Sequence, residues 1–135
     1  MTDALRGASH HPFDGRWDGD CGLLGERVPA RRVRAPEEHD LGGYAGPTGG
    51  LPGVPLADTA HGHLDRPDDV RCILGADPNG RIVGVGQVST TDATETSMGF
   101  GRGGFRVLAP RDSGPLTVYV VLEGSDVLHR LPAEG

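Results

Sequence analysis

Apolar and polar positions alternate most regularly from Leu116 to Glu123. There Leu116, Val118, Val120 and Leu122 interleave with Thr117, Tyr119, Val121 and Glu123. A period of two puts the first set on one face of a strand, toward a core. Val121 makes the opposite face partly apolar, which suits a central strand or one that something covers. Upstream, Phe105 to Ala109 also reads as strand, and Pro110 to Gly114 as turn residues, so the two strands are expected to form a hairpin. An earlier hairpin is signalled more sharply. Val70 to Ala76 and Arg81 to Val88 flank Asp77-Pro-Asn-Gly80, with the residue types of a type I turn in order. Pro78 sets φ, Asp77 caps the turn amides, and Gly80 takes the conformation that ends the turn. Gly84 and Gly86 share one face of the second strand, where they weaken it or admit another backbone. Ser125 to Leu131 fits either one helical turn or a final strand.

The first half has a different texture. Residues 1–65 hold 18 Gly or Pro and only 6 Val, Ile or Thr, whereas residues 66–135 hold 16 of each group. β-branched residues fit a pleated, half-buried surface, so sheet is expected in the second half. Pro36 to Leu41, closed by Gly42 and Gly43, has the ends of one or two helical turns. Arg27 to Arg34 reads as an edge strand demoted by Pro29, and Gly42 to Pro55 as loop or linker. The expected organisation is an irregular, partly disordered region over 1–65 and a β-rich domain over 66–135, or one domain with parts of 1–65 packed on it. The fold class is mainly β: a small antiparallel sheet, sandwich or barrel built from hairpins. About 70 residues alone lie near the limit of what one core stabilises. Packing of Phe13, Trp17, Leu23 and Leu24 onto the sheet, or cover by a protein partner or a second copy, is therefore expected.

Charge narrows the classes of function. The net charge is −6, with 13 Arg and no Lys among the basic residues. An acidic balance speaks against binding nucleic acid or anionic membrane through phosphates. The lack of Lys excludes Schiff-base chemistry and a P-loop. The N-terminus shows no secretory pattern, and the longest apolar run, Val118 to Leu122, is too short to cross a bilayer. A cytoplasmic location is the default. Cys21 and Cys72 have no CxxC partner and are expected as two reduced thiols, although they could bridge if the chain is exported.

Candidate chemistry is sparse. His61 and His63, two apart on an extended segment, share a face, and imidazole with the carboxylate of Asp65 suits zinc or iron. His129 is a possible third ligand. The competing interpretation is a polar linker with two solvated histidines, and no resident cofactor is expected on it. Gly99, Phe100, Arg102, Gly104 and Arg106 form a Gly-rich stretch that formally satisfies GxGxxG. A strand pattern follows it in place of a helix, so a flexible binding loop at a sheet rim is the preferred assignment. The same stretch resembles one copy of an Arg-Gly-Gly RNA-binding repeat. Arg27, Arg31, Arg32 and Arg34 are followed by Glu37, Glu38 and Asp40, which neutralise them locally.

Some short resemblances arise at these residues. Thr59 to Asp65 is similar to the metal motif of metallo-β-lactamase-fold hydrolases, but Arg66 stands where the last His belongs. Arg111 to Leu116 is similar to the segment around the trypsin-like nucleophile, yet lacks one Gly of the oxyanion turn. Tyr119 to Gly124, with Ser125 to Gly135, resembles two phrases of the cupins, which implies a β-barrel with His and Glu on a metal. His61 and His63 lie far upstream of the cupin position, and no Glu stands at the ligand spacing. No motif is complete enough to name an activity. The expectation is a non-enzymatic binding or accessory protein. The alternative is a small metal-dependent β-barrel, cupin-like, using His61 and His63.

Overall fold

A computed structural model describes residues 19–38, 41–51, 54–90 and 102–133. The chain is mainly β, as its sequence pattern predicts. The strands are β1 (Val33–Arg34), β2 (Gly43–Leu51), β3 (Val54–Leu64), β4 (Val70–Ala76), β5 (Ile82–Val88), β6 (Gly104–Pro110), β7 (Thr117–Leu122) and β8 (Leu128–Arg130). They form one eight-stranded sheet in the order β1-β8-β7-β4-β5-β6-β3-β2, curled into a half-barrel. Among the described strand pairs, only β1 and β8 run parallel. Beyond β8, Leu131 N–H donates to Val118 O, and Ala45 N–H donates to Pro132 O. An isolated bridge from Ala45 to Ala133 thus brings the β2 edge to the segment that follows β8.

The β4–β5 hairpin forms by the turn chemistry that its sequence carries. Asp77 Oδ1 accepts the Asn79 and Arg81 amides at 2.9 and 3.0 Å, and Gly80 has a φ of +83°. The other expected hairpin does not form. Phe105 to Ala109 and Thr117 to Leu122 are strands, but β6 pairs with β5 and β3 while β7 pairs with β4 and β8. The earlier hairpin sits between them. The connection from Pro110 to Leu116 therefore crosses the β4–β5 turn, where a Cβ on Gly114 would lie 3.1 Å from the Pro78 ring. Sequence adjacency suggested pairing, and the long connection allowed a different neighbour.

Gly43–Leu51 and Val54–Leu64, expected as linker and polar segment, form the strands at the β2 end. Partners decide this, since strand propensity depends on what a residue packs against. Ser125 to Leu131 resolves as the short strand β8, and Pro36–Glu38 as a single 3-10 turn.

Alternation divides the core in two. The concave face buries Ala60, Leu64, Ile73, Phe105, Val107, Val118 and Val120. The convex face buries Cys72, Leu74, Ala76, Ile82, Tyr119, Val121 and Leu128 under Cys21, Leu23, Val28 and Val33. Val121 is thus both central and covered. The tight curl leaves no room for Cβ atoms at some concave positions. One on Gly86 would lie 2.7 Å from Arg106 O and 2.9 Å from Val107 Cγ2.

Cys21 and Cys72 are not free thiols. They are joined in a disulfide, with 6.2 Å between their Cα atoms. Their separation of 51 residues says nothing of distance in space. Only the course of residues 20–35 over β4 brings them together.

Candidate functional site

Residues 20–38 make a strap across the convex face. Asp20 opens it: its Oδ1 accepts the Gly22 amide at 2.8 Å, and its carbonyl accepts the Leu23 amide at 2.7 Å. This turn sets Cys21 against β4. The strap then runs beside the start of β5. Gly25 N–H donates to Ile82 O, Ile82 N–H to Glu26 O and Val28 N–H to Gly80 O, each at 2.8 Å. Arg81 reaches back to Gly25 O at 2.7 Å. Pro29 then breaks the run, as a residue without an amide proton must. A 3-10 turn at Ala30–Arg32 redirects the chain, and β1 docks on the edge of β8.

Where strap and sheet diverge they leave a cleft of about 390 Å3. The strap side carries Arg27, Val28, Ala30, Val33, Ala35 and Glu38. The sheet side carries Gly80, Tyr119 and Arg130. Tyr119 and Arg130 face each other across β7 and β8 in register, so both project from the convex surface. Arg27 is anchored at the turn by an N–H to Asn79 O at 2.9 Å. Glu38 Oε1 accepts the Ala35 amide at 2.7 Å, which holds that carboxylate over its own 3-10 turn. Burial pushes the Tyr119 phenol above its ordinary value, and the positive charge of Arg130 opposes that rise.

The residues singled out from the sequence lie elsewhere. His61 and His63 do share a face of β3. His61 stands opposite Arg106 on β6, which in turn stands opposite Gln87. The adjacent row, Ala60, Val107, Gly86, Ile73, Val120 and His129, belongs to the concave face. His129 therefore points to the opposite side of the sheet from His61 and His63, and its Nδ1 lies 3.2 Å from Val120 O. His63 has Asp65 at 3.7 Å and the Tyr44 ring at 6.3 Å between centroids. Among the described residues no three His, Cys, Asp or Glu side chains gather as a metal-binding group.

Of the expected flexible loop, Gly99 and Phe100 lie outside the described residues. Arg102 forms an ion pair with Asp68 and donates to Thr90 O at 2.7 Å. Gly104 begins β6, and Arg106 lies within it, half-buried. Leu23 packs on the convex core as expected, Leu24 is exposed, and Phe13 and Trp17 lie outside the described residues.

Sequence reasoning met Arg27 only as part of a locally neutralised cluster, and passed over Arg130 and Tyr119 as chemistry. The one available signal was the apolar outer face around Val121, which called for a cover. Among the described residues no helix is long and apolar enough to cross a membrane. Compared with protein-family models, curated proteins and solved structures, the chain matches none of them.

Proposed function

We propose that the protein works by binding and not by catalysis, and that the cleft between strap and sheet is where it binds. The observation that carries this reading is the kind of polar group gathered there. Its two basic groups are guanidiniums, which do not release protons at ordinary pH. The Tyr119 phenol is held in its protonated form by burial. Such groups hold charge and donate hydrogen bonds. The one carboxylate of the cleft, Glu38, is tied to the Ala35 amide at 2.7 Å. Among the described residues the lining thus supplies binding groups and no paired acid and base. The cleft's size falls within the range of small-molecule sites, and its strap wall is largely aliphatic.

The strap provides a cover for the sheet that the small core otherwise lacks. A protein partner or second copy remains part of the reading only as an additional occupant of that cleft. The disulfide suits an oxidising compartment in preference to the cytoplasm expected from the sequence.

A fragment titration tests the site. Small molecules of mixed charge are added to the intact, oxidised protein, and ¹H–¹⁵N correlation spectra are recorded. Shifts are expected at amides of residues 27–38, at Gly80, and at Tyr119 and Arg130. Shifts confined to another surface, or none with any fragment, would refute the assignment.

A further inference from the structure

We infer that the cleft takes a small monocarboxylate with an apolar body, an inference that rests on the cleft being the binding site. Charge gives the first argument. The chain carries a net −6, so a small anion meets general repulsion at its surface. The cleft reverses this locally, because its lining holds two guanidiniums, Arg27 and Arg130, against one carboxylate, Glu38. Arg is the side chain best matched to a carboxylate, through paired N–H donors in a planar fork.

The division of the walls gives the second. Val28, Ala30, Val33 and Ala35 all lie on the strap, whereas Tyr119 and Arg130 lie together on the facing strands. An apolar body placed against the strap puts the ligand's charged end on the Arg130 and Tyr119 side. The phenol there can donate to a carboxylate oxygen. Glu38 sets the limit on charge. It is held by the Ala35 amide at 2.7 Å on the strap wall, beside the place assigned to the apolar body. A second negative charge at that end of the ligand would meet it, while Arg27 on the same wall is already turned to Asn79 O at 2.9 Å, so a monoanion is preferred over a dianion.

The test uses the intact oxidised protein and three six-carbon probes: hexanoate, hexanamide and adipate. Each is titrated at neutral pH while amide shifts are followed in the cleft. Hexanoate should bind at least about tenfold more tightly than hexanamide, the amide being a neutral isostere, and about tenfold more tightly than adipate. Arg130→Gln should abolish the preference for hexanoate over hexanamide. Arg27→Gln, at an exposed position, should weaken it and supplies the same test if Arg130→Gln fails to fold. Glu38→Gln should bring adipate closer to hexanoate. If hexanamide and hexanoate shift the same cleft amides with equal affinity, the charge preference is wrong while the cleft stands as the site. If no fragment of any charge shifts these amides, the site assignment itself fails and takes this inference with it.

Discussion

Cutting the tie between Cys21 and Cys72 is the most informative perturbation, because it removes the covalent cross-link between the strap and β4 and leaves the strap's hydrogen bonds in place. The bridge spans 51 residues. On the chain-entropy argument, closing a loop of that length removes about 14 cal/mol/K from the unfolded chain, or about 4 kcal/mol at room temperature. Domains of this size are stable by only about 5–15 kcal/mol, so reduction should remove a large part of the total. The same loss should lower the thermal midpoint by roughly 14 °C, using an unfolding entropy of about 2.1 cal/mol/K per residue. Paired urea titrations of the oxidised and reduced protein measure the difference directly, with circular dichroism of the sheet as readout. Reduction is preferred to substitution, since Cys72 is 3 % exposed and a serine there would bury a hydroxyl. Amide exchange separates local from global effects. The Gly25, Val28 and Ile82 amides that tie the strap to β5 and its turn should lose protection before those of β4 and β7. A difference below about 1 kcal/mol between the two forms would refute the reasoning. It would mean that residues 21–72 are already restrained in the unfolded chain, or that the strap comes loose in the reduced native state and regains entropy there too.

Other consequences are open to test. The folded protein holds the Tyr119 phenol protonated beyond its ordinary value of 10.0 through burial, with Arg130 opposing. The unfolded chain ionises at the ordinary value, so this contribution is intact below about pH 10 and is lost as pH climbs above it. Tyr119→Phe should flatten the fall in urea midpoint between about pH 9 and 11; an equally steep fall in the variant would contradict this. Gly86→Ala forces a Cβ to within 2.7 Å of Arg106 O and 2.9 Å of Val107 Cγ2. It should cost about 1–3 kcal/mol in urea unfolding, as overpacked cores do, and a neutral outcome would show that β5 and β6 can move apart. Zn(II) should shift the ring resonances of His61 and His63 in fast exchange and leave His129 unmoved, since the two sets face opposite sides of the sheet. Slow exchange involving all three rings would overturn that geometry.

What could be read from the sequence was local. Asp77-Pro-Asn-Gly80 needs only its own backbone to make a turn, and its hydrogen bonds formed as its residue types imply. Alternation from Leu116 to Leu122 similarly sorted Val118 and Val120 to one core and Tyr119 and Val121 to the other. The shared face of His61 and His63 followed from the same period of two. Pairing was not legible, because Phe105 to Ala109 has no mark that prefers β5 and β3 over the next strand in the chain. Nor was β2 legible: Gly43, Gly46, Pro47, Gly49 and Gly50 outnumber its strand formers Tyr44 and Thr48, and it depends on β3 beside it. The cleft combines the strap, a turn glycine and two neighbouring strands. No window of sequence contains all three.

The clasp after β8 bears on when the protein can fold as it is made. Residues 131–133 bond to β7 on one side and to β2 on the other, while β8 is the partner that β1 requires. Synthesis runs from the N-terminus, so every other strand emerges from the ribosome before these residues do. Until β8 and these residues emerge, β1 lacks the partner it has among the described strands, and the outer edge of β7 stays open. Exposed strand edges invite pairing between chains. The nascent protein therefore carries an open sheet edge while β1 to β7 are already outside the ribosome. Closing that interval falls to a segment only a few residues long.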